Sequence, residues 1–152
     1  MKLKKMSQKQ EKSVAEEFNA KTVVASGAKW GSKGDVRNDK YLIECKITQK
    51  PFYSLTKSTW EKIEKEAIKD GLRIPMMCVD VDNGVNQFIV MLYTDVPEEI
   101  KDKYRDVYVA CYSIFDKKSF QVKKLEKADW YIVNTSWGNF AVLNRHDFSE
   151  YM

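Results

Sequence analysis

The sequence has no run of 18 apolar residues, so no segment is predicted to cross a membrane as a helix. Its lysine-rich start, Met1 to Gln10, has no apolar stretch behind the charges and does not read as a secretory signal. A single histidine, His146, leaves little for histidine-based catalysis. The three cysteines, Cys45, Cys78 and Cys111, fall one per apolar run with no C-x-x-C pair. That is the usage of buried free thiols in a reducing compartment; it argues against a structural zinc site and for a soluble, cytoplasmic protein. Only three prolines occur, and no repeat or low-complexity linker divides the 152 residues, which predicts one domain spanning 1–152.

With 43% apolar and 12% aromatic residues, the chain is able to build a core. Residues 1–75 hold 17 basic and 10 acidic side chains and residues 76–152 hold 9 and 12, so the net charge of +4 resides in the first half. Such asymmetry suggests a polyanionic partner for that half.

Periodicity predicts a helix over Ser7–Asn19 on a Val14, Ala15, Phe18 stripe, and a short strand at Thr22–Ala25. A hairpin follows, with Asp35–Arg37 and Lys40–Thr48 as its strands and Asn38-Asp39 as its turn. Ser58-Thr59-Trp60-Glu61 has capping-box spacing and opens a helix whose face is Trp60, Ile63, Ala67 and Ile68, stopped at Gly71. Strands are predicted at Met76–Val81, Gln87–Tyr93, Val107–Phe115, Phe120–Val122, Trp130–Asn134 and Phe140–Asn144. Short helices are predicted over Pro97–Tyr104 and Asp147–Tyr151. This order gives an α/β (α+β) fold with a mixed central sheet flanked by helices.

The chemistry concentrates at Gly34-Asp35 and, nine residues on, Glu44-Cys45-Lys46. Alternation along a strand sends Glu44 and Lys46 to one face and Ile43 and Cys45 to the other. The hairpin folds Asp35 back beside Glu44, so two carboxylates and a lysine converge at a sheet end. Hard oxygen donors at that spacing suit Mg²⁺, with Mn²⁺ able to substitute. Such an ion acidifies a bound water, and Lys46 would orient that water or stabilise developing charge. Alone, Glu-x-Lys on a half-exposed strand is ordinarily a surface ion pair worth little. Two features raise its significance: a helix glutamate ahead of the strand (Glu11, with Glu16 and Glu17 as rivals) and the small-residue loop Ala25-Ser26-Gly27-Ala28, where N–H groups and a hydroxyl can approach a phosphate.

Glu11, Ser26-Gly27, Gly34-Asp35 and Glu44-Cys45-Lys46, in this order, resemble the PD-(D/E)xK nuclease superfamily, and within it the Holliday-junction resolvases of archaeal and phage type. The resemblance covers roughly residues 8–82, with Gly34 where the motif has proline. It implies a restriction-endonuclease-like core over about 8–95, followed by a β-rich C-terminal extension over about 96–152. Phe140 to Phe148 resembles the closing strand and short helix of some phage members. The resemblance further implies a metal site made by Glu11, Asp35, Glu44 and the Cys45 carbonyl, with Lys46 catalytic and Ser26 near the scissile phosphate. The implied activity is Mg²⁺-dependent endonucleolytic hydrolysis of branched DNA by a homodimer, since paired symmetric cuts demand a two-fold. Another nuclease of the superfamily, restriction-type or RecB-like, and a silent DNA-binding accessory protein are the alternatives.

Lys29, Lys33, Arg37, Gln49, Lys50 and Lys57 flank these residues and are candidates for DNA contact. Trp30 and Trp60 read first as core, His146 as structural or exposed, and Asp80, Asp82 and Asp95 as ordinary strand-end and turn aspartates.

Overall fold

A computed structural model describes residues 3–22, 36–107, 109–128 and 130–151. Helix α1 (Leu3–Glu17) leads into the two-residue strands β1 (Lys21–Thr22) and β2 (Val36–Arg37), then β3 (Tyr41–Ile47). Strand β4 (Phe52–Thr56) and helix α2 (Lys57–Lys69) form the crossover to β5 (Ile74–Val81), which runs parallel to β3. β6 (Asn86–Leu92), α3 (Glu98–Lys103), β7 (Val109–Ser113), β8 (Ser119–Lys123), β9 (Trp130–Thr135), β10 (Gly138–Asn144) and α4 (Arg145–Tyr151) complete the chain.

Eight strands make one mixed sheet in the order β1-β2-β3-β5-β6-β10-β9-β7, and β4 and β8 pair as a separate two-stranded sheet. The fold is therefore the mixed α/β arrangement that the element order predicts. β10 pairs with β6 from Phe140↔Leu92 to Asn144↔Phe88, so the segment after residue 95 extends the same sheet and shares its core.

Central strands are buried on both faces and read as continuous apolar runs. Met76 and Cys78 face one way, with Ile43, Cys45, Ala141 and Leu143, against Val14 and Phe18 of α1. Met77 and Val79 face the other, with Val90, Phe140 and Val142, against Trp60 and Ile63 of α2 and Leu55, Phe120 and Val122 of the small sheet. Trp60 is fully buried and meets Phe140 edge-on at 5.0 Å, so its role is packing.

Several boundaries differ from the sequence reading. α1 begins four residues before Ser7, because Lys, Leu, Met and Gln are good helix formers and Met6 and Gln10 continue the inward stripe of Val14 and Phe18 at i, i+4 spacing. The cap of α2 is Thr56 rather than Ser58. Thr56 keeps extended backbone at the end of β4 and its hydroxyl accepts the Thr59 N–H, which leaves Ser58 inside the first turn. Ile68 is 62% exposed, whereas Trp60, Ile63 and Ala67 are buried. Gly71, at φ +83°, supplies the left-handed stop after α2. Cys45 and Cys78 are buried as the cysteine pattern predicts; Cys111 on the terminal strand β7 is exposed. No helix is long and apolar enough to cross a membrane among the described residues.

Candidate active site

β3 enters as Tyr41-Leu42-Ile43 and turns charged only where it leaves the core. Its alternation puts Tyr41, Ile43 and Cys45 against α1. Glu44 and Lys46 share the opposite face, in register with Met77 and Val79 of β5. There Lys46 Nζ lies 3.5 Å from Glu44 Oε1, with the two side chains 39% and 19% exposed. Pairing of β2 with β3 runs through Val36↔Ile43, so among the described residues Glu44 is the first β3 residue beyond that pairing. Half-buried Tyr53 of β4 senses both charges. Burial pushes its phenol upward, Lys46 pulls it down, and Glu44 raises it.

The carboxyl ends of β3 and β5 are fixed to α1 by Gln10. Its amide Nε2 donates to the Lys46 carbonyl at 2.8 Å and to the Cys78 carbonyl at 3.3 Å, and the side chain is 4% exposed. Glu11, the next residue, is half-buried in the middle of α1. α1 covers the face of β3 opposite Glu44 and Lys46. Of the rival helix carboxylates, Glu16 is exposed. Glu17 is committed to Arg145 Nε at 3.0 Å and His146 Nδ1 at 2.9 Å.

The remaining predicted residues divide three ways. Asp35, Ser26, Lys29 and Lys33, together with Trp30, lie outside the described residues. Arg37 is not a spare cation: its Nη1 lies 2.7 Å from Asp70 Oδ1, and Arg73 reaches the other oxygen of Asp70 at 3.1 Å. That bond ties β2 to the end of α2, a partner that local sequence could not reveal because Asp70 follows 33 residues later. Gln49 and Lys50 are exposed in the turn after β3, with Lys50 Nζ 6.0 Å from the Phe52 ring centre, and Lys57 opens α2.

For a divalent cation, the donor set on this face is Glu44 with the neighbouring Cys45 carbonyl. The Cys45 thiol points into the α1 core. These donors are all oxygen, the chemistry that Mg²⁺ and Mn²⁺ take. Among the described residues no three His, Cys, Asp or Glu side chains come together.

Sequence reasoning missed a second polar cluster on the α1 side of the sheet. Arg145, 1% exposed, donates from Nη1 to Asp80 Oδ1 at 3.2 Å and from Nη2 to Gln87 Oε1 at 2.8 Å, and its Nε lies 3.0 Å from Glu17 Oε1 as an ion pair. Burial raises the Asp80 carboxyl above its ordinary 3.8, while Arg145 and Gln10 oppose the shift and Glu17 adds to it. Arg145, Asp80, Gln87 and Gln10 border a 540 Å³ pocket with Met6, Ser13 and Gln49. The pocket and the Glu44–Lys46 pair occupy opposite faces of the same strand ends, and among the described residues only Gln49 of the predicted site residues borders the pocket. An aspartate inside the apolar strand Met76-Met77-Cys78-Val79-Asp80-Val81 was the available signal, since such a residue is buried and needs a partner. The sequence of this chain matches no family model and no curated protein.

Proposed function

We propose that the protein is a metal-dependent endodeoxyribonuclease acting on branched DNA, with its site at the exit of β3. One observation carries this reading: Glu44 and Lys46 are held 3.5 Å apart and half-exposed on one face of β3, just past the last described pair with β2. The setting supports it. α1 precedes an antiparallel β1-β2-β3 array, and a helical crossover returns the chain to a strand parallel to β3. That element order accompanies the acid–acid–lysine motif in the nuclease superfamily that the sequence resembles.

In this reading Glu44, Asp35 and the Cys45 carbonyl would hold Mg²⁺, which when bound would supply an acidified water and neutralise phosphate charge; Glu11, on the helix that covers the opposite face of β3, is not one of its ligands. Lys46 holds the nucleophilic water and counters charge developing on the phosphate oxygens. Ser26 hydrogen-bonds the scissile phosphate. Gln10 fixes the Lys46 backbone, so the ammonium projects from a clamped strand rather than a loop. Two copies of the chain would place two such sites across the branch point.

The test is incubation with a four-way junction and a linear duplex of matching sequence, each with Mg²⁺ or EDTA, beside Glu44→Gln and Asp35→Asn. Paired Mg²⁺-dependent cuts near the branch, absent in both variants, are expected. Equal cutting of the duplex would retain the nuclease and remove the junction preference. Binding without any cutting under Mg²⁺ or Mn²⁺ would overturn the enzymatic reading.

A further inference from the structure

The net charge of this protein is concentrated where the linear sequence hides it. β4 and β8 stand far apart in the chain but pair from Phe52↔Lys123 to Thr56↔Ser119. Together with their flanks, residues 48–58 and 116–127, they carry seven lysines against two carboxylates, in a chain whose total is only +4. Most of this basic surface comes from the C-terminal half, which is net acidic and which the charge count therefore sets aside.

The two faces of the small sheet differ sharply. Leu55, Phe120 and Val122 turn inward to the core and are 0%, 7% and 0% exposed. The pairs Phe52↔Lys123, Ser54↔Gln121 and Thr56↔Ser119 turn outward, giving an aromatic ring, an ammonium, an amide and hydroxyls with no carboxylate among them. Lys50, Lys57, Lys117, Lys118 and Lys124 flank these two strands in the chain, all exposed except half-buried Lys57; Lys117 lines a groove with Ser54, Ser119, Gln121 and Lys123. Among the described residues none of these six lysines, Lys123 included, has a carboxylate within ion-pair distance. All four arginines, in contrast, are ion-paired: Arg37 and Arg73 to Asp70, Arg105 to Asp102, and Arg145 to Asp80 and Glu17.

Hydrogen bonds tie the small sheet to its surroundings. The Lys57 N–H donates to the Lys118 carbonyl at 2.8 Å, Trp137 Nε1 to the Lys117 carbonyl at 3.0 Å, and Tyr131 Oη both accepts from and donates to the Lys123 backbone. From Lys118 to Lys123 the strand extends about 17 Å at about 3.3 Å per residue, close to the rise of about five base pairs at 3.4 Å each.

We infer that the outer face of the β4–β8 sheet is a binding surface for the sugar–phosphate backbone of a DNA arm, with Lys50, Lys57, Lys117, Lys118, Lys123 and Lys124 as its phosphate ligands. The inference rests on the nuclease reading for the identity of the polyanion and extends it to residues outside the candidate site. β4 follows β3 through the 48–51 turn, and Tyr53 on its inner face lies near Glu44 and Lys46, so the small sheet neighbours the candidate site.

The test compares two charge-matched variants of the full chain: Lys117→Gln, Lys118→Gln, Lys123→Gln, Lys124→Gln on the small sheet, and Lys12→Gln, Lys62→Gln, Lys65→Gln, Lys69→Gln on α1 and α2. Affinity for a fluorescent four-way junction and a 30-base-pair duplex is measured in EDTA across a salt series, with circular dichroism to verify folding. The small-sheet variant should bind about tenfold or more weakly, and its log K against log salt slope should fall by about 0.9 for each phosphate that is no longer neutralised. The helix variant should change less than about threefold. Equal weakening in both variants, unchanged binding by the small-sheet variant, or no DNA binding by the unsubstituted protein would each overturn the surface. If the unsubstituted protein cleaves DNA while the small-sheet variant binds normally, the surface falls and the nuclease stands. If binding depends on these lysines but Mg²⁺ yields no cleavage, the surface stands and the nuclease falls.

Discussion

On the α1 side of β3 and β5, charge is buried and matched; on the α2 side, Glu44 and Lys46 stand half-exposed at a strand exit. Arg145 and Asp80 hold each other away from water, with Gln87 satisfying a further guanidinium N–H and Glu17, 19% exposed, at the edge of the cluster. Breaking such an arrangement strands a charge in a medium that cannot solvate it. Glu44 and Lys46 keep access to solvent, so their attraction contributes little to folding while their charges remain available to a ligand. Proximity of opposite charges is common to both clusters, and burial decides what each one does.

The sharpest way to break this comparison is to remove Glu44. Under the nuclease reading, Glu44→Gln should lower Mg²⁺-dependent cleavage by at least about a thousandfold, equivalent to about 4 kcal/mol on the barrier. Its stability in urea should stay within about 1 kcal/mol of the unsubstituted protein, because a half-exposed ion pair is worth about that or less. A large loss of stability with cleavage intact would make the pair structural.

Arg145→Met should do the reverse. It leaves Asp80 buried without its cation, and removal of one partner from such a pair costs about 3–5 kcal/mol. Adding Asp80→Asn to it should recover part of that loss, because one stranded charge disappears. Urea denaturation measures both, and an Arg145→Met effect below about 1 kcal/mol would show that the network is not what secures α1 and α4 to the sheet.

Asp80 sharpens the comparison through pH. Its carboxyl is raised above the ordinary 3.8, chiefly by burial, so folding favours the protonated form. The stability that this protonation supplies is fully present below the ordinary value and is lost as pH rises through the raised one. Asp80→Asn cannot titrate. The stability of the unsubstituted protein relative to Asp80→Asn should therefore decline as pH rises from about 3.5, by at most about 1.4 kcal/mol per pH unit for one proton, and then level off. A relative stability that climbs with pH would mean that Arg145 and Gln10 outweigh burial.

What the sequence disclosed follows the range of the physics behind each feature. The β2–β3 hairpin, the apolar strands and the inward stripe of α2 rest on alternation and helical spacing, which neighbouring residues announce. β4 escaped because Phe52-Tyr53-Ser54-Leu55-Thr56 follows Pro51 and alternates weakly, and its partner β8 lies in a distant segment. Asp80 read as an ordinary turn aspartate because Arg145, which makes it structural, comes 65 residues later. Within the candidate site, the shared face of Glu44 and Lys46 followed from strand alternation alone. The engagement of Arg37 by Asp70 did not, since it depends on where α2 ends relative to β2.

The smallest effect separates local pattern from realised geometry at the start of α2. Ser58-x-x-Glu61 has capping-box spacing, yet the helix begins at Lys57 and Thr56 Oγ1 takes the Thr59 N–H at 3.2 Å. Thr56→Ala should cost about 1 kcal/mol, the usual loss of an N-cap hydroxyl. Ser58→Ala should be neutral or stabilising by up to about 0.5 kcal/mol, because it places the better helix former inside the first turn. Urea melts of the two single variants decide between the caps. Were Ser58→Ala the costlier change, the helix would start two residues later, and β4 would end without the threonine that now joins it directly to α2.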